Sequence, residues 1–144
     1  MDRGLVICAG LGFATLCMPA YTQVLQKSVG SPFSMFAAQD FSAWKQYGNA
    51  NWQYVNQQAF MTQGNGWLVS KLPLKNIVVD LQYWVDKNAH ASLFVRCTDT
   101  NFISQETAYQ INLSSKAIDG YGAGALVGTT QVSPQKVSGQ WNAL

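Results

Sequence analysis

Few residues in this 144-residue chain could carry acid–base or metal chemistry. It contains one histidine, His90, together with three cysteines and seven acidic residues. A single histidine excludes a zinc site built from several histidines, and the sequence supports no Ser/His/Asp triad. A paired-carboxylate glycosidase needs two carboxyl groups about 5–10 Å apart. Asp80 and Asp86 share one parity of a predicted strand, but six residues at about 3.3 Å each separate them by about 20 Å. That strand therefore supplies no such pair, whereas pairs drawn from loop residues stay open.

The composition indicates what kind of ligand the surface suits. Charged residues make up 11% of the chain, and the net charge is +2 without a run of Lys or Arg, which excludes the basic patch typical of nucleic-acid binding. From Gln23 onward there are 23 Asn and Gln residues against 14 charged residues, and the chain contains five Trp and six Tyr. A polar, weakly charged and aromatic surface favours neutral, hydroxyl-rich ligands. The predicted partner is a small carbohydrate or glycoside and not a nucleic acid.

Three segments alternate in hydrophobicity with a period of two, which predicts half-buried antiparallel strands. They are Ile77–Asp86, Ala91–Cys97 and Ala108–Leu113, and the first two are predicted to form a hairpin through residues 87–89. Shorter strand candidates are Trp52–Val55, Ala59–Thr62, Trp67–Ser70 and Ala125–Gly128. No helical period is evident after residue 22. This pattern predicts an all-β sandwich or barrel.

If the three long strands are neighbours, their polar positions form one face. Trp84 and Phe94 would stack on a sugar ring, and Arg96, Gln110 and Asn112 would supply hydrogen bonds. The rest of this face comprises Asp80, Gln82, Asp86, His90 and Ser92. The alternative is a solvated sheet face with incidental aromatic residues. Cys97 takes the opposite parity, which favours a buried structural thiol over a nucleophile.

The two ends of the chain carry separate signals. The apolar run Leu5–Ala20 has the length of a signal-peptide core, with a plausible cleavage point before Tyr21. We therefore expect a signal peptide over 1–22, a linker over 23–32, and a secreted or periplasmic domain over 33–144 that is not membrane-inserted after cleavage; an uncleaved anchor is the alternative. Gln140–Leu144 resembles the start of a strand, which predicts that the domain is C-terminally truncated and continues in further strands.

Several segments in order are similar to the 3-keto-disaccharide hydrolase family, which has a concanavalin A-like jelly-roll fold. Ser34–Trp44 resembles the family opening "LF-dG-xL-xxW", and Gly64–Ser70 resembles "dG…G-L-x-[ST]". His90–Arg96 occupies the place of "NSG-I-F-x-R", and Ala108–Leu113 that of "xYEVNI". The last two matches are Tyr121–Val127 with "YGTGAI" and Gly139–Asn142 with "GxWN". In the family, further strands follow "GxWN".

The resemblance implies cleavage of sugars oxidised at carbon 3. A keto group there acidifies the C2–H bond, so that the glycosidic bond can be lost by proton abstraction and elimination. Such a reaction needs a base and an enolate stabiliser, often with a divalent metal, in place of two carboxylates. The sequence identifies no ligands for such a metal and does not fix the oligomeric state.

Two departures from the family pattern affect the implied catalytic residues. Gln110 stands where the family has Glu, and an amide cannot accept a proton as a base. His90 stands where the family has Asn and would be the substitute base, whereas Arg96 is retained and would anchor a sugar oxygen or an enolate. The resemblance thus implies His90, Arg96 and Gln110 as catalytic positions. The polar face described above supplies Trp84, Phe94, Asn112 and Asp80 as the predicted substrate-binding positions. The alternative function is a non-catalytic carbohydrate-binding domain of the same fold.

Overall fold

The computed structural model describes residues 33–74, 76–133 and 135–144, together with the backbone of residues 4–10 and 14–17. Over these residues the chain forms strands and no helix, so the all-β prediction is confirmed. No helix in the described part of the chain is long and apolar enough to cross a membrane. The strands are β1 (Gly4–Gly10), β2 (Ala14–Cys17), β3 (Trp44–Gly48), β4 (Gln53–Val55), β5 (Gln58–Met61), β6 (Asn65–Ser70), β7 (Gln82–Val85), β8 (His90–Cys97), β9 (Tyr109–Asn112) and β10 (Trp141–Ala143).

The strands form two five-stranded antiparallel sheets. Sheet A has the order β3-β6-β1-β8-β9, and sheet B has the order β10-β7-β2-β5-β4. The segment predicted to be a signal peptide contributes the middle strand of each sheet, because β1 pairs with β6 and β8 while β2 pairs with β5 and β7. The predicted cleavage point and the predicted linker over 23–32 lie outside the described residues.

The core lies between the sheets. Leu68 and Leu93 from sheet A and Met61 and Val85 from sheet B belong to one buried cluster. Burial of this apolar area is the main contribution that favours folding. The described residues add no disulfide to it.

One end of the core is aromatic and explains why the opening motif has its composition. The Phe36 ring stacks on Trp44 with a centroid distance of 5.3 Å and on Tyr54 with one of 5.6 Å. The Trp44 Nε1 donates a 3.0 Å hydrogen bond to the Met35 carbonyl, so the buried indole keeps a partner. Phe36 and Trp44 of this segment therefore pack into one end of the sandwich.

The predicted hairpin between the first two long segments is wrong. β7 belongs to sheet B and β8 to sheet A, and the turn between them, closed by the Ala89 N–H on the Asp86 carbonyl (3.1 Å), crosses from one sheet to the other. Both strands direct their apolar side chains into the same core. A hairpin within one sheet and a crossover between two sheets therefore give the same alternation in the sequence. Residues 77–81 keep the alternation of burial, but only Leu81 pairs there, through two backbone bonds with Leu144.

The shorter strand candidates fare better. Trp52–Val55, Ala59–Thr62 and Trp67–Ser70 correspond to β4, β5 and β6 within two residues at each end, and the strand predicted near Gln140 is β10. The fourth candidate, Ala125–Gly128, is wrong: it is a turn with an isolated bridge from Leu126 to Ile111, held beside β9 by a 2.9 Å bond from the Val127 N–H to the Gln110 carbonyl. Tyr109 shares the core-facing parity of Ile111, yet it is 53% exposed, because it lies at the end of β9 beyond the core cluster.

A β-bulge interrupts the alternation of β8. The register with β1 shifts between Phe94 and Cys97, and Arg96 has a φ of 56°. A bulge inserts one residue and reverses the parity of those that follow it. Cys97 therefore packs in the same small cluster as Phe94 and Val69, on the face opposite to the one its sequence parity predicts, although its predicted burial is confirmed.

Candidate functional site

The face of sheet A that points away from the core carries the histidine. The register pairs Ser92 with Asn112 and Phe94 with Gln110, and residues paired in an antiparallel sheet share a face. The predicted grouping of His90, Ser92, Phe94, Gln110 and Asn112 on one face is thus correct. Three residues of neighbouring strands complete this surface, called here the His90 face: Tyr47, Asn65 and Trp67.

Two aromatic rings in edge-to-face contact form the floor of the His90 face. Phe94 is only 4% exposed and meets the edge of Trp67 at a centroid distance of 5.5 Å. Ile103 and Ala108, from the segment after β8, pack against the same cluster. Phe94 therefore supports the surface from below, and the half-buried Trp67 is the ring that a ligand would touch. The sequence contained the signal for Trp67, since Asn65, Trp67 and Val69 alternate with buried Gly66 and Leu68.

The polar groups of the face follow β8 and β9. The Gln110 Nε2 donates a 2.9 Å hydrogen bond to the Ser92 Oγ, which fixes both side chains. His90 is half-buried and lies two residues from Ser92, about 7 Å along the strand. In the register, Gly10 of β1 stands between His90 and Asn65. A glycine at that position leaves a gap between two polar side chains, where a ligand can approach the backbone closely.

Asn112 is directed into the protein. It is fully buried, and its Nδ2 donates to the carbonyls of Lys116 and Tyr121 at 3.0 and 2.9 Å. Its Oδ1 accepts from the N–H and the Oγ of Ser114 at 2.9 and 2.8 Å. These bonds engage both ends of the amide, so Asn112 holds the loop after β9 and does not face a ligand.

Arg96 lies away from the His90 face because of the bulge. Its Nη2 donates to the Asn76 Oδ1 at 3.3 Å. It lines a pocket of about 380 Å³ whose other lining residues are mainly apolar: Ile77, Val79, Leu93, Val95, Ile111, Gly124 and Leu144. A carbohydrate site usually presents several hydrogen-bonding groups, and this pocket presents one charged side chain among aliphatic ones.

The predicted positions on the first long segment lie on the other sheet. Trp84 is in β7, where its ring meets that of Trp141 at a centroid distance of 6.1 Å and an angle of 71°. Asp80 is exposed in the segment before β7. Neither residue can contact a ligand on the His90 face, because the two sheets and the core lie between them.

The electrostatics of the His90 face are nearly neutral. Among its described strand positions, Lys45 at the outer edge is the one permanently charged side chain. The described residues also contain no group of three His, Cys, Asp or Glu side chains that could hold a metal ion, so they do not fit the divalent metal that the resemblance left open. The Cys97 thiol is buried below this face, and desolvation raises its pKa, which disfavours the nucleophilic thiolate.

Comparison with protein-family models gives a match over residues 32–144, to the family described as the 3-keto-alpha-glucoside-1,2-lyase-like domain. The match covers well over half of the chain. The chain belongs to this family. No curated protein and no solved structure matches it. The family confirms the resemblance derived from the motifs, and its concanavalin A-like jelly roll agrees with the two antiparallel sheets.

Proposed function

We propose that the His90 face binds a 3-keto-glycoside and cleaves it by elimination, with His90 as the base. The observation that carries this proposal is the placement of His90, Ser92, Gln110 and Trp67 on one nearly uncharged face. The family name specifies 3-keto-alpha-glucosides and a 1,2-lyase reaction, which supports this substrate class.

The reaction can be written without a metal or a second carboxylate. The base takes the proton from C2, and the electron pair of the C–H bond moves toward the C3 ketone to form an enolate. The enolate then collapses, a C1–C2 double bond forms, and the C1–O bond breaks to release the alcohol, which takes up the proton that the base removed from C2. Atoms and charge balance, and no water is consumed before any later hydration of the product.

Each residue of the face has a role in this scheme. The imidazole of His90 is the base on the face, and Trp67 offers an aromatic surface for the apolar side of a sugar ring. The Nε2 amide of Gln110 uses one N–H on the buried Ser92 Oγ and keeps a second N–H for a developing enolate oxygen. This neutral donor is weaker than a charged one, so we expect slow turnover.

A second function is a binding domain without catalysis. Its support is Gln110, an amide in the position where the family pattern has Glu, since an amide cannot act as a base. In this case the face would bind the sugar through the partly exposed Trp67 and Gln110 and would lack a competent base.

The test measures release of nitrophenolate from 4-nitrophenyl 3-keto-α-glucoside by the wild type, His90→Gln and Gln110→Glu. If His90 is the base, we expect His90→Gln to lower kcat by about 100-fold or more. Gln110→Glu should raise turnover, because its carboxylate can accept a proton; the bond that Gln110 now donates to the Ser92 Oγ would be replaced by one that the Ser92 hydroxyl donates to the carboxylate. Gln131→Glu, an exposed glutamine elsewhere, is the matched control for the added charge and should change nothing.

The outcomes separate the two functions. An inactive wild type that binds the substrate and gains activity through Gln110→Glu supports the binding domain. An active wild type that loses activity in His90→Gln supports the lyase. If the wild type and both variants neither bind nor cleave the substrate, both functions are refuted.

We also propose that the protein is exported to the periplasm or the medium. The support is the apolar run Leu5–Ala20, which has the length of a signal-peptide core, together with the suitability of the His90 face for a neutral sugar. We expect mass spectrometry of the protein recovered from the periplasm or the medium to give the mass of a chain that begins at Tyr21. Recovery in the cytoplasm alone would contradict the proposal.

A further inference from the structure

The outer face of sheet B forms a second surface on the side of the sandwich opposite to the His90 face. The register aligns Trp141 with Trp84, and Phe60 with Gln53. The next row aligns Ala143 with Gln82, and Gln58 with Val55. β2 lies between β7 and β5, with Thr15 at the register position between Trp84 and Phe60. These eight side chains of β4, β5, β7 and β10 are called here the Trp84 face.

The composition of the Trp84 face differs from that of an ordinary solvated sheet. Of its eight positions, three are aromatic, three are glutamine, and none carries a charge. Trp141 is 47% exposed, and Trp84 and Phe60 are partly exposed. Exposed aromatic rings with amides between them offer stacking surfaces together with paired donors and acceptors, which is the combination that neutral sugars require.

The size of the face argues against a stable dimer as its use. Five strands span about 19 Å and the two rows with their side chains about 10 Å, so the area is on the order of 200 Å². A stable protein–protein interface buries about 800 Å² on each partner. The area and the lack of charge therefore favour a small, uncharged and extended ligand.

We propose that the Trp84 face binds a neutral glycan chain. Trp84 and Phe60 are separated by one strand, which sets their backbones about 10 Å apart. A chain of several sugar units can lie along the row from Trp84 to Phe60 and contacts more of the face than a single sugar does. The site thus binds oligosaccharides in preference to monosaccharides, and it stands independently of the lyase proposal because it shares no residue with the His90 face.

The test titrates the full chain with glucose, maltohexaose and cellohexaose by isothermal titration calorimetry. We expect at least one hexasaccharide to bind about tenfold or more tightly than glucose. Trp141→Ala and, separately, Trp84→Ala should weaken that binding about tenfold. Phe102→Ala is the matched control, because Phe102 is 60% exposed but lies in the segment after β8. It should bind the hexasaccharide like the wild type.

Several results would overturn the proposal. One is that neither hexasaccharide binds at millimolar concentration. Another is that both tryptophan variants, shown by circular dichroism to be folded, bind like the wild type. A third is a wild-type dimer in sedimentation equilibrium that Trp141→Ala dissociates, since this would identify a second copy as the occupant. Hexasaccharide binding is measured whether or not the wild type cleaves the 3-keto-glycoside, so failure of the lyase proposal is distinguishable from failure of this one.

Discussion

At the scale of single residues, access differs sharply between side chains on the same side of a strand. Gln110 and Asn112 are two residues apart on β9 and share the His90 face. Gln110 is partly exposed and bonded to Ser92, whereas Asn112 is sealed by the loop that its own amide holds. Alternation in the sequence fixes the side of the sheet, but a loop that folds back over that side decides which residues a ligand can reach.

Cys97 offers a residue-scale prediction because burial raises the pKa of its thiol. The thiolate is the reactive form, so both burial and the raised pKa slow alkylation. We expect iodoacetamide at pH 8 to label Cys97 about tenfold or more slowly in the native protein than in urea. Peptide mass mapping measures this rate for Cys97 separately from Cys8 and Cys17.

The same shift has a consequence for stability with a defined sign. A group whose folded pKa is raised contributes stability that is complete below its unfolded pKa and is lost as the pH rises through its folded pKa. For Cys97 the loss begins at about pH 8.5. The free energy of unfolding of the wild type should therefore fall between pH 7 and pH 10 by more than that of Cys97→Ala. Equal falls, or native labelling as fast as in urea, would show that the thiol is not desolvated.

At the scale of elements, the sequence predicted strands better than it predicted their partners. Period-two alternation located β4 to β9, because each strand buries one side. It could not tell the hairpin from the crossover between β7 and β8, since Val85 and Leu93 enter the same core from opposite sheets. It also missed the bulge at Arg96, because an inserted residue leaves no trace in the composition of β8. Because of this bulge, Arg96 lies away from the face on which the alternation predicted it.

The close approach of the β3 backbone to Gly66 of its paired strand β6 gives an element-scale prediction. A Cβ at Gly66 would lie 2.6 Å from the Tyr47 carbonyl oxygen and 2.7 Å from the Ala50 Cβ. The strands would have to move apart, so Gly66→Ala should lower the free energy of unfolding by about 2 kcal/mol in urea denaturation. Because Trp67 is the next residue on β6, the same variant should weaken ligand binding on the His90 face.

Gly122 is the matched control for this substitution. A Cβ there meets no atom within 4 Å, and Gly122 is not among the glycines with positive φ. Gly122→Ala should leave the stability within about 0.5 kcal/mol of the wild type. Equal effects of the two substitutions would refute the close approach of β3 to Gly66.

At the scale of the whole molecule, the sandwich separates two surfaces of related chemistry. The His90 face holds a candidate base and short polar groups, and the Trp84 face holds aromatic rings and glutamines. The sequence predicted a single polar face that combined Trp84 with His90, because the two strands are adjacent in the chain. The assignment of β7 and β8 to different sheets divides that face into two.

The export proposal and the fold make conflicting use of residues 4–17. The export proposal requires cleavage before Tyr21, whereas β1 and β2 form the middle of both sheets. Without them, β6, β8, β5 and β7 would each lose a partner and expose unpaired backbone groups. The form that begins at Tyr21 should therefore aggregate, or unfold at a lower urea concentration than the full chain, as measured by light scattering and denaturation.

A peptide that supplies the missing strands tests the physical reason directly. A synthetic peptide of residues 4–17, added to the form that begins at Tyr21, should restore a soluble particle and raise its unfolding midpoint. The same peptide with Ile7→Pro should not, because proline removes a backbone donor from a strand that is paired on both sides. A stable monomer without peptide would show instead that β1 and β2 are dispensable, and cleavage on export would then leave a folded domain.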